Sequence, residues 1–583
     1  MRALRALVPY LRQYRAIYAW GLLLVVLSNL FSTLGPHFLQ RGIDVLTRGG
    51  PFSNVQSAAL LLLGVAAVGG LARYGMRELL NSSSRRVEYD LRNRLYAYLQ
   101  GQSAEFYDRY PTGDVMARTT NDLLAVRMVA GPALMYLADT VIRSLIVVPV
   151  MVHISPLLSL LALVPLAALP VVMSRFGRAI HRRTEIIQAQ FSDLTTHAHE
   201  NLSGVRIVRA YRQEAAEARH FRALNEEYTE RNLSLARIQG MFHPLLATLG
   251  GLGMVALLYA GGRLVITGAV SVGEFVAFGV YLAMLIWPMI ALGWVVNLVQ
   301  RGAASMGRIN ALMDEPVAIA SPAQPVALPA AKAGRRVAFD GVWFRYPAAQ
   351  DRGWILQDIT FELPAGGSLA IVGATGAGKS TLAELLVRIY DADRGRITLD
   401  GIDVRTVSLE ELRRNIGFVP QETFLFSDTI RNNILLGAPD DGRLERSADV
   451  AQLSEALPLL PNGYDTMLGE RGVNLSGGQK QRAAIARALA QNPPVFVLDD
   501  ALSAVDAHTE ARILQGLRGA LERRTSIVIS HRLAAVRDAD LILVLDDGRI
   551  VERGTHGELM QLGGRYWELL QRQELETELE EAV

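Results

Sequence analysis

Apolar residues crowd the first half of the chain in six runs, at 16–36, 56–78, 131–153, 155–176, 240–262 and 273–299. Each is long enough to cross a bilayer as a helix, which takes roughly 20 residues. The fourth run begins almost where the third ends, so the connection at Ser155-Pro156 must be tight. Between the second and third runs, and again between the fourth and fifth, lie long Arg-rich stretches. Residues 79–130 carry Arg85, Arg86, Arg92, Arg94, Arg109, Arg118 and Arg127; residues 177–239 carry Arg178, Arg182, Arg183, Arg206, Arg209 and Arg212 among others. The opposite connections hold only Arg41, Arg48 and Arg263. That asymmetry places the long loops and the residues before the first and after the last span in the cytoplasm. The loops keep helical periodicity, with no proline except Pro111. Helices that continue well below the membrane are therefore expected rather than open linkers.

Beyond residue 300 the pattern changes. A Pro/Ala-rich stretch, 316–335, marks a linker, and after it short apolar runs alternate with helical segments, the signature of an α/β domain. The expected architecture is a multidomain chain. Residues 1–315 form an all-α transmembrane domain of six helices with long cytoplasmic extensions, and 336–570 form an α/β P-loop domain. Residues 571–583 are an acidic helix or tail.

Composition narrows the function classes. Half of the residues are hydrophobic, unusual for a soluble enzyme, and the net charge of +2 argues against a nucleic-acid partner. The chain has no cysteine, which excludes disulfides, thiol catalysis and thiolate metal sites. The N-terminal residues lack the apolar core and small-residue cleavage site of a signal peptide. Cations are almost all arginine; the lysines are Lys332, Lys379 and Lys480.

One of those lysines sits in Gly373–Ser380, GATGAGKS, between a strand-like run (SLAIV) and a helix-like one (TLAELLVRIY). This is the strand–loop–helix setting in which backbone N–H groups and a helix N-terminus cradle phosphate. Gly373, Thr375, Gly376, Ala377, Gly378, Lys379, Ser380 and Thr381 are the candidate phosphate binders, with Lys379 reaching the β- and γ-phosphates and Ser380 on Mg²⁺. A second apolar strand, VFVL, ends at Asp499-Asp500, and a third, SIVIS, ends at His531. Open α/β sheets bind ligands at that edge. LSGGQ (Leu475–Gln479) precedes a strong helix, where Ser476 could serve simply as its N-cap.

Together, GATGAGKS, Gln421 in VPQETFLFSDTIRNNI, LSGGQKQR, VFVLDD, ALSAVD and His531 in SIVISHRL resemble the ATP-binding cassette in order and spacing. FYDRYPTGDVMARTTND and ENLSGVRIVRAY resemble the two intracellular loops of its exporter-type transporters. The resemblance covers nearly the whole chain. It implies a bacterial inner-membrane, multi-pass half-transporter with a cytoplasmic nucleotide-binding domain. It implies ATP and Mg²⁺ as cofactors, with Tyr346 stacking on adenine and Ser380, Gln421 and Asp499 around the metal. His531 would touch the γ-phosphate. Ser476, Gly477, Gly478 and Gln479 would clamp ATP held by a second subunit, and Asp506 would lie at the seam. Conformational change would pass through Tyr107–Asp114 and Glu200–Val208.

The resemblance breaks at one position. The family carries Glu after the metal-binding aspartate, to polarise the attacking water, whereas here Asp500 stands there. A carboxylate withdrawn by roughly 1 Å can cost about 100-fold in rate. The site built on this chain's own phosphate loop is thus expected to bind ATP and hydrolyse it slowly, while the intact LSGGQ completes a competent site on a partner. That pattern suits a heterodimeric exporter of amphipathic small molecules, lipids or peptides. A homodimeric exporter or lipid flippase, and an ATP-gated channel or regulatory subunit, share the motifs. In the spans, Asn29, Asp139, Arg143 and Asn297 are the polar candidates; Asp139 and Arg143, four apart, are expected to neutralise each other. Met284, Trp287 and Trp294 could line a hydrophobic cavity.

Overall fold

The computed structural model describes residues 2–331, 333–347, 353–469, 472, 474–532 and 536–581. It divides into two units, Met1–Leu99 with Gly113–Glu315, and Gln100–Thr112 with Pro316–Val583.

The first unit is helical. Among the described residues, six helices are long and apolar enough to cross a membrane. They are α1 (Arg15–Thr47), α2 (Phe52–Gln100), α3 (Thr112–Ile154), α4 (Pro156–Ser203), α5 (Glu214–Ile266) and α6 (Val272–Met313). Each contains one of the apolar runs, the fourth short only of Ser155, and the Arg-rich stretches continue the same helices, so α2 is 49 residues long. At 1.5 Å per residue that is about 70 Å, more than twice the hydrocarbon thickness.

Local chemistry fixes the turns. Ser155 alone separates α3 from α4, accepting a hydrogen bond from Leu158 N at 3.4 Å, with Pro156 next in line. A capping box of Ser271 and Glu274 opens α6. Asp44 near the end of α1 receives the Ser271 hydroxyl at 3.0 Å and Gly273 N at 2.9 Å, which ties the two helices. Within the spans, Arg143 pairs with Asp139 at 3.2 Å, as the four-residue spacing suggests. Asn29, fully buried on α1, joins them: its amide donates to Asp139 and its oxygen accepts from Arg143, each at 2.8 Å. Two opposite charges and an amide that can donate and accept leave few unmatched groups in an apolar medium. Trp294 meets Tyr136 edge-on, and Trp287 is exposed.

The second unit carries two sheets. A four-stranded antiparallel sheet has the order β2-β1-β4-β5, with β1 at Val337–Phe344, β2 at Leu356–Leu363, β4 at Arg394–Leu399 and β5 at Ile402–Asp403. A six-stranded sheet has the order β10-β9-β3-β8-β7-β6. Its strands are β3 (Ser368–Gly373), β6 (Ile416–Val419), β7 (Val495–Asp499), β8 (Thr525–Ile529), β9 (Leu541–Asp546) and β10 (Arg549–Gly554). All neighbours are parallel except β9 and β10. Strands covered on both faces read as continuous apolar runs, and every residue of β7 is buried.

The Pro/Ala-rich stretch lies along this unit. Val326 N bonds Thr406 O at 2.9 Å, Leu328 joins the core, and the buried Arg335 donates to Asn415 at 2.8 Å. Arg565–Glu581 is helical.

Candidate functional site: a nucleotide cradle at the sheet edge

Four parallel neighbours, β3, β8, β7 and β6, end side by side. Each delivers one polar element there: the phosphate loop after β3, His531 after β8, Asp499-Asp500 at the end of β7, and Gln421 after β6. Register keeps them level, since Asp499 sits opposite Ile529 and Leu498 opposite Val419. The motifs, scattered from Gly373 to His531, thus meet because the strands that precede them are adjacent.

A cavity of about 400 Å³ opens at this edge, lined by Tyr346, Thr375, Gly376, Gly378, Lys379, Ser380, Thr381, Gln421, His531 and Ile355. Gly373 has φ +150°, and a Cβ there would stand 2.1 Å from Leu545 O on the neighbouring strand, so no other residue fits. Gly378, at φ +95°, turns the loop into helix α7 (Lys379–Leu386). The Lys379 ammonium is buried and donates to the carbonyls of Gly373 at 2.9 Å and Ala374 at 2.8 Å. These bonds fix the chain's only buried lysine among the described residues with a third N–H still to give. Burial pushes its pKa down, while the carboxylates of Asp500 and Asp499 push it up.

Ser380 Oγ donates to Asp499 Oδ1 at 3.0 Å. Burial raises the Asp499 pKa, offset by the Ser380 bond, and Asp500 raises it further. A hydroxyl and a buried carboxylate at this separation, with the Gln421 amide on the same cavity, form the all-oxygen donor set that a hard cation such as Mg²⁺ takes. Asp500 adopts a left-handed backbone, φ +47°, pinned by its N–H to Ile529 O at 2.9 Å. Lys379 and His531 both feel its charge. His531 lies at the open side of the cradle. Loss of water around the ring holds its pKa below the ordinary histidine value, Lys379 lowers it further and Asp500 opposes. With the folded value depressed, the unfolded chain takes up the proton first. Stability contributed by the neutral ring is therefore present above the unfolded value of about 6.5 and lost as pH falls from there through the folded value. The expected result is a melting temperature that drops on acidification below that point, and drops less in His531→Gln.

Tyr346 borders the cavity with its ring edge-on to Phe344 and Tyr390, at 5.0 and 5.3 Å. Its hydroxyl bonds Thr381 Oγ1 at 2.9 Å and Glu384 Oε2 at 3.0 Å, and burial lifts its pKa to about 12. Sequence reasoning missed what lies behind it. Tyr390 donates to Asp108 Oδ2 at 2.6 Å and meets the Tyr346 ring edge-on, so the short helix Ala104–Arg109 is in contact, through Tyr390 and then Tyr346, with the helix that carries Lys379. Glu384 is part of this network, and burial raises its pKa. Asp108 lies in the intracellular-loop motif and in the segment Tyr107–Asp114, but no motif marks Glu384 or Tyr390 as its neighbours; only their meeting in space does. Tyr390→Phe is expected to weaken ATP binding by about five- to tenfold, a part of the value of the lost bond to the Asp108 carboxylate, read by fluorescent-nucleotide titration.

The LSGGQ residues do not line this cavity. Ser476 caps helix α8 (Gly477–Ala490) in a reciprocal box with Gln479, Ser476 N to Oε1 at 2.8 Å and Gln479 N to Oγ at 3.3 Å. Ser476 is exposed and Gln479 half-buried. Gly478 packs so closely that a Cβ would lie 2.9 Å from Ala504 O. Gln481, one turn into α8, bonds Ser503 Oγ at 3.0 Å and Ala504 N at 2.9 Å, which links the signature to the loop ending at Asp506. Asp506 is exposed and caps the next helix through Thr509 N at 2.9 Å.

Residues 18–289 match the family model of the ABC transporter transmembrane region, and residues 356–503 match the family model described as ABC transporter. The chain is 38% identical, over 98% of both chains, to the probable multidrug resistance ABC transporter ATP-binding/permease protein YheI of Bacillus subtilis. This chain belongs to the ABC transporter family. It is 36% identical to the multidrug resistance-like ATP-binding protein MdlA of Escherichia coli, over 100% of this chain and 98% of that one. It is also 36% identical to the ATP-dependent lipid A-core flippase of Syntrophus aciditrophicus, over 90% and 86%. The structure of a bacterial Atm1-family ABC exporter with ATP bound superposes with a TM-score of 0.78 at 31% identity, over 96% of this chain and 99% of that one. As an ABC half-transporter it is a multi-pass membrane protein with its nucleotide-binding domain in the cytoplasm, membrane and ATPase parts joined in one chain.

Proposed function

We propose that this ABC exporter chain is the slow-hydrolysing half of a heterodimer that moves amphipathic substrates outward. The observation that carries the reading is Asp500, the shorter carboxylate at the position from which attacking water is polarised. Two features support the second subunit. Ser476, Gly477, Gly478 and Gln479 stand apart from the chain's own cradle, the first two exposed and the last two half-buried, as residues that complete a site on another chain would. Asp506 is likewise exposed, at the end of the loop that Gln481 holds against α8. The substrate class follows the relatives, whose names speak of multidrug resistance and of lipid flipping.

In this reading Tyr346 stacks on adenine and the phosphate-loop N–H groups and Lys379 hold the phosphates. Ser380, Asp499 and Gln421 would hold Mg²⁺, which neutralises phosphate charge when bound. His531, held neutral at pH 7 by its surroundings, can donate one N–H to the γ-phosphate while Asp500 accepts from water. Tyr346→Ala should weaken ATP binding by roughly 10-fold, the loss of one base–aromatic stack.

The test is native mass spectrometry of the particle isolated from its own cells through this chain. A heterodimer gives 63.8 kDa plus an unlike second half-transporter. A particle of twice that mass is a homodimer and contradicts the heterodimeric reading. Reconstituted into inside-out vesicles, the particle should accumulate an amphipathic dye uphill with ATP; dissipation of a gradient alone would point to a channel.

A further inference from the structure

One face of the six-stranded sheet carries a second cavity, entered from the start of its strands, the end opposite the nucleotide cradle. Pairing sets Ala370 beside Val528 and Val528 beside Leu498, a level row across β3, β8 and β7. Two residues nearer the strand starts, Ser368 stands beside Ser526. Side chains alternate in direction along a strand, so both rows share one face. Serine and alanine are small, and the helix packed above does not fill the space they leave. That helix, α9 (Ala507–Ala520), turns Leu514, Leu517, Arg518 and, at its cap, Leu521 to the cavity, the i, i+3, i+4, i+7 spacing of one helical face. Val536, Asp538, Ala539 and Asp540 close the third side. About 310 Å³ stays open, the size of a small organic ligand's site. Val528, in the middle of a central parallel strand, is left half-buried, where such strands are normally covered on both faces.

Charge at the mouth is unevenly matched. Arg518 pairs with Asp538, and Asp540 accepts from the Ser368 N–H and hydroxyl, each at 2.8 Å. Arg524 is half-buried and donates only to neutral oxygens, Asn492 Oδ1 at 2.6 Å and Pro493 O at 3.5 Å. Burial lowers its pKa with no carboxylate to oppose the shift. Arg523, at φ +68° in the turn from α9 into β8, is exposed, and so is Glu522. Among the described residues neither of these two side chains makes a hydrogen bond or an ion pair. Two guanidinium groups without a carboxylate partner thus stand against one free acid, an excess of positive charge beside an apolar floor. On that floor the Ser526 hydroxyl also bonds no protein group among the described residues.

We propose that this cavity is a binding site for a compact anionic amphiphile, its apolar body on the Ala370–Val528–Leu498 row and its carboxylate on Arg523 and Arg524. Guanidinium forks match a carboxylate in geometry, and apolar walls with a few convergent polar groups are what a small-molecule site presents. The position gives such a ligand a hold on hydrolysis. Leu498 runs directly into Asp499-Asp500, and α9, which supplies the facing wall, is the helix that Asp506 caps. An occupant would bear on both without entering the cradle.

The chain has no native cysteine, so Glu522→Cys puts a trifluoromethyl tag at the mouth and nowhere else. The tagged full-length chain, in nanodiscs, is titrated with 4-phenylbutyrate, a soluble carboxylate with an apolar body, and read by fluorine NMR. The tag's shift should move and saturate. The neutral 4-phenylbutanamide should bind about tenfold more weakly, the value of one charge-assisted hydrogen bond. Arg523→Gln should weaken the acid by the same factor, while Arg523→Lys keeps most of the response. Leu514→Trp should abolish it by filling the cavity, with an unchanged melting temperature showing that this variant is folded. Arg523 is exposed and bonds nothing, so its variants keep the fold and decide alone should the tryptophan not fit. The proposal is overturned if the shift grows without saturating, as partition into the bilayer would give. It is overturned, too, if amide and acid titrate alike, or if Arg523→Gln leaves the midpoint where it was. Acetate reproducing the signal at the same concentrations would overturn it as well, by making the mouth a free-anion site.

Discussion

Lys379→Ala is expected to lower ATP affinity by about 100-fold, the loss of one strong charge-assisted hydrogen bond in a site where the cation is buried. The lysine is held by two carbonyls of its own loop, so the variant removes a phosphate donor and also leaves Gly373 O and Ala374 O without their partner. Part of the effect is therefore a disordered loop, and it is separable. Ser380→Ala keeps the loop's lysine bonds and loses the hydroxyl that Asp499 accepts, so it should spare ATP binding without metal and impair it with Mg²⁺. Nucleotide titrations of both variants, with and without Mg²⁺, read the difference. Equal losses in the two variants under all conditions would contradict this division of labour.

Asp500→Glu has the opposite sign: it raises turnover of the isolated chain by about 100-fold with little change in KM, because the added methylene returns the carboxylate to reach of water. The backbone sharpens the argument. Asp500 is held at φ +47° by its bond to Ile529 O, so the side chain leaves from a fixed point and length decides where its oxygens arrive. Aspartate tolerates this left-handed conformation better than glutamate does. The variant should consequently melt slightly lower while hydrolysing faster. A gain in rate together with a loss of stability distinguishes repaired chemistry from a better-folded protein.

Much of this was legible in the sequence because strands buried on both faces write themselves as unbroken apolar runs. VFVL and SIVIS could be placed, and with them the residues at their ends. The spans were legible for the same reason: hydrocarbon admits no polar side of a helix. Asp139 and Arg143 could be paired from spacing alone, whereas Asn29, 110 residues earlier, could not, because nothing local marks which helix will pack there. The link from Asp108 through Tyr390 to Tyr346 and Glu384 was invisible for the same reason. Asp108 stands in a segment already singled out, but its partner lies 282 positions away, and Tyr390 and Glu384 read locally as ordinary residues of a helix-like run. The stretch 316–335 shows the converse. Proline and alanine announced a break in secondary structure, yet Leu328 and Arg335 bury themselves against the ATPase core, a packing that composition does not encode.

The most direct test of the account is steady-state ATP turnover by the purified chain alone, in nanodiscs, beside its Asp500→Glu variant. The account predicts a nearly inactive parent that still binds ATP and a variant restored by about two orders of magnitude. Brisk turnover by the parent, or a variant no faster than it, would contradict the role given to Asp500 and leave two equivalent working sites as the better description.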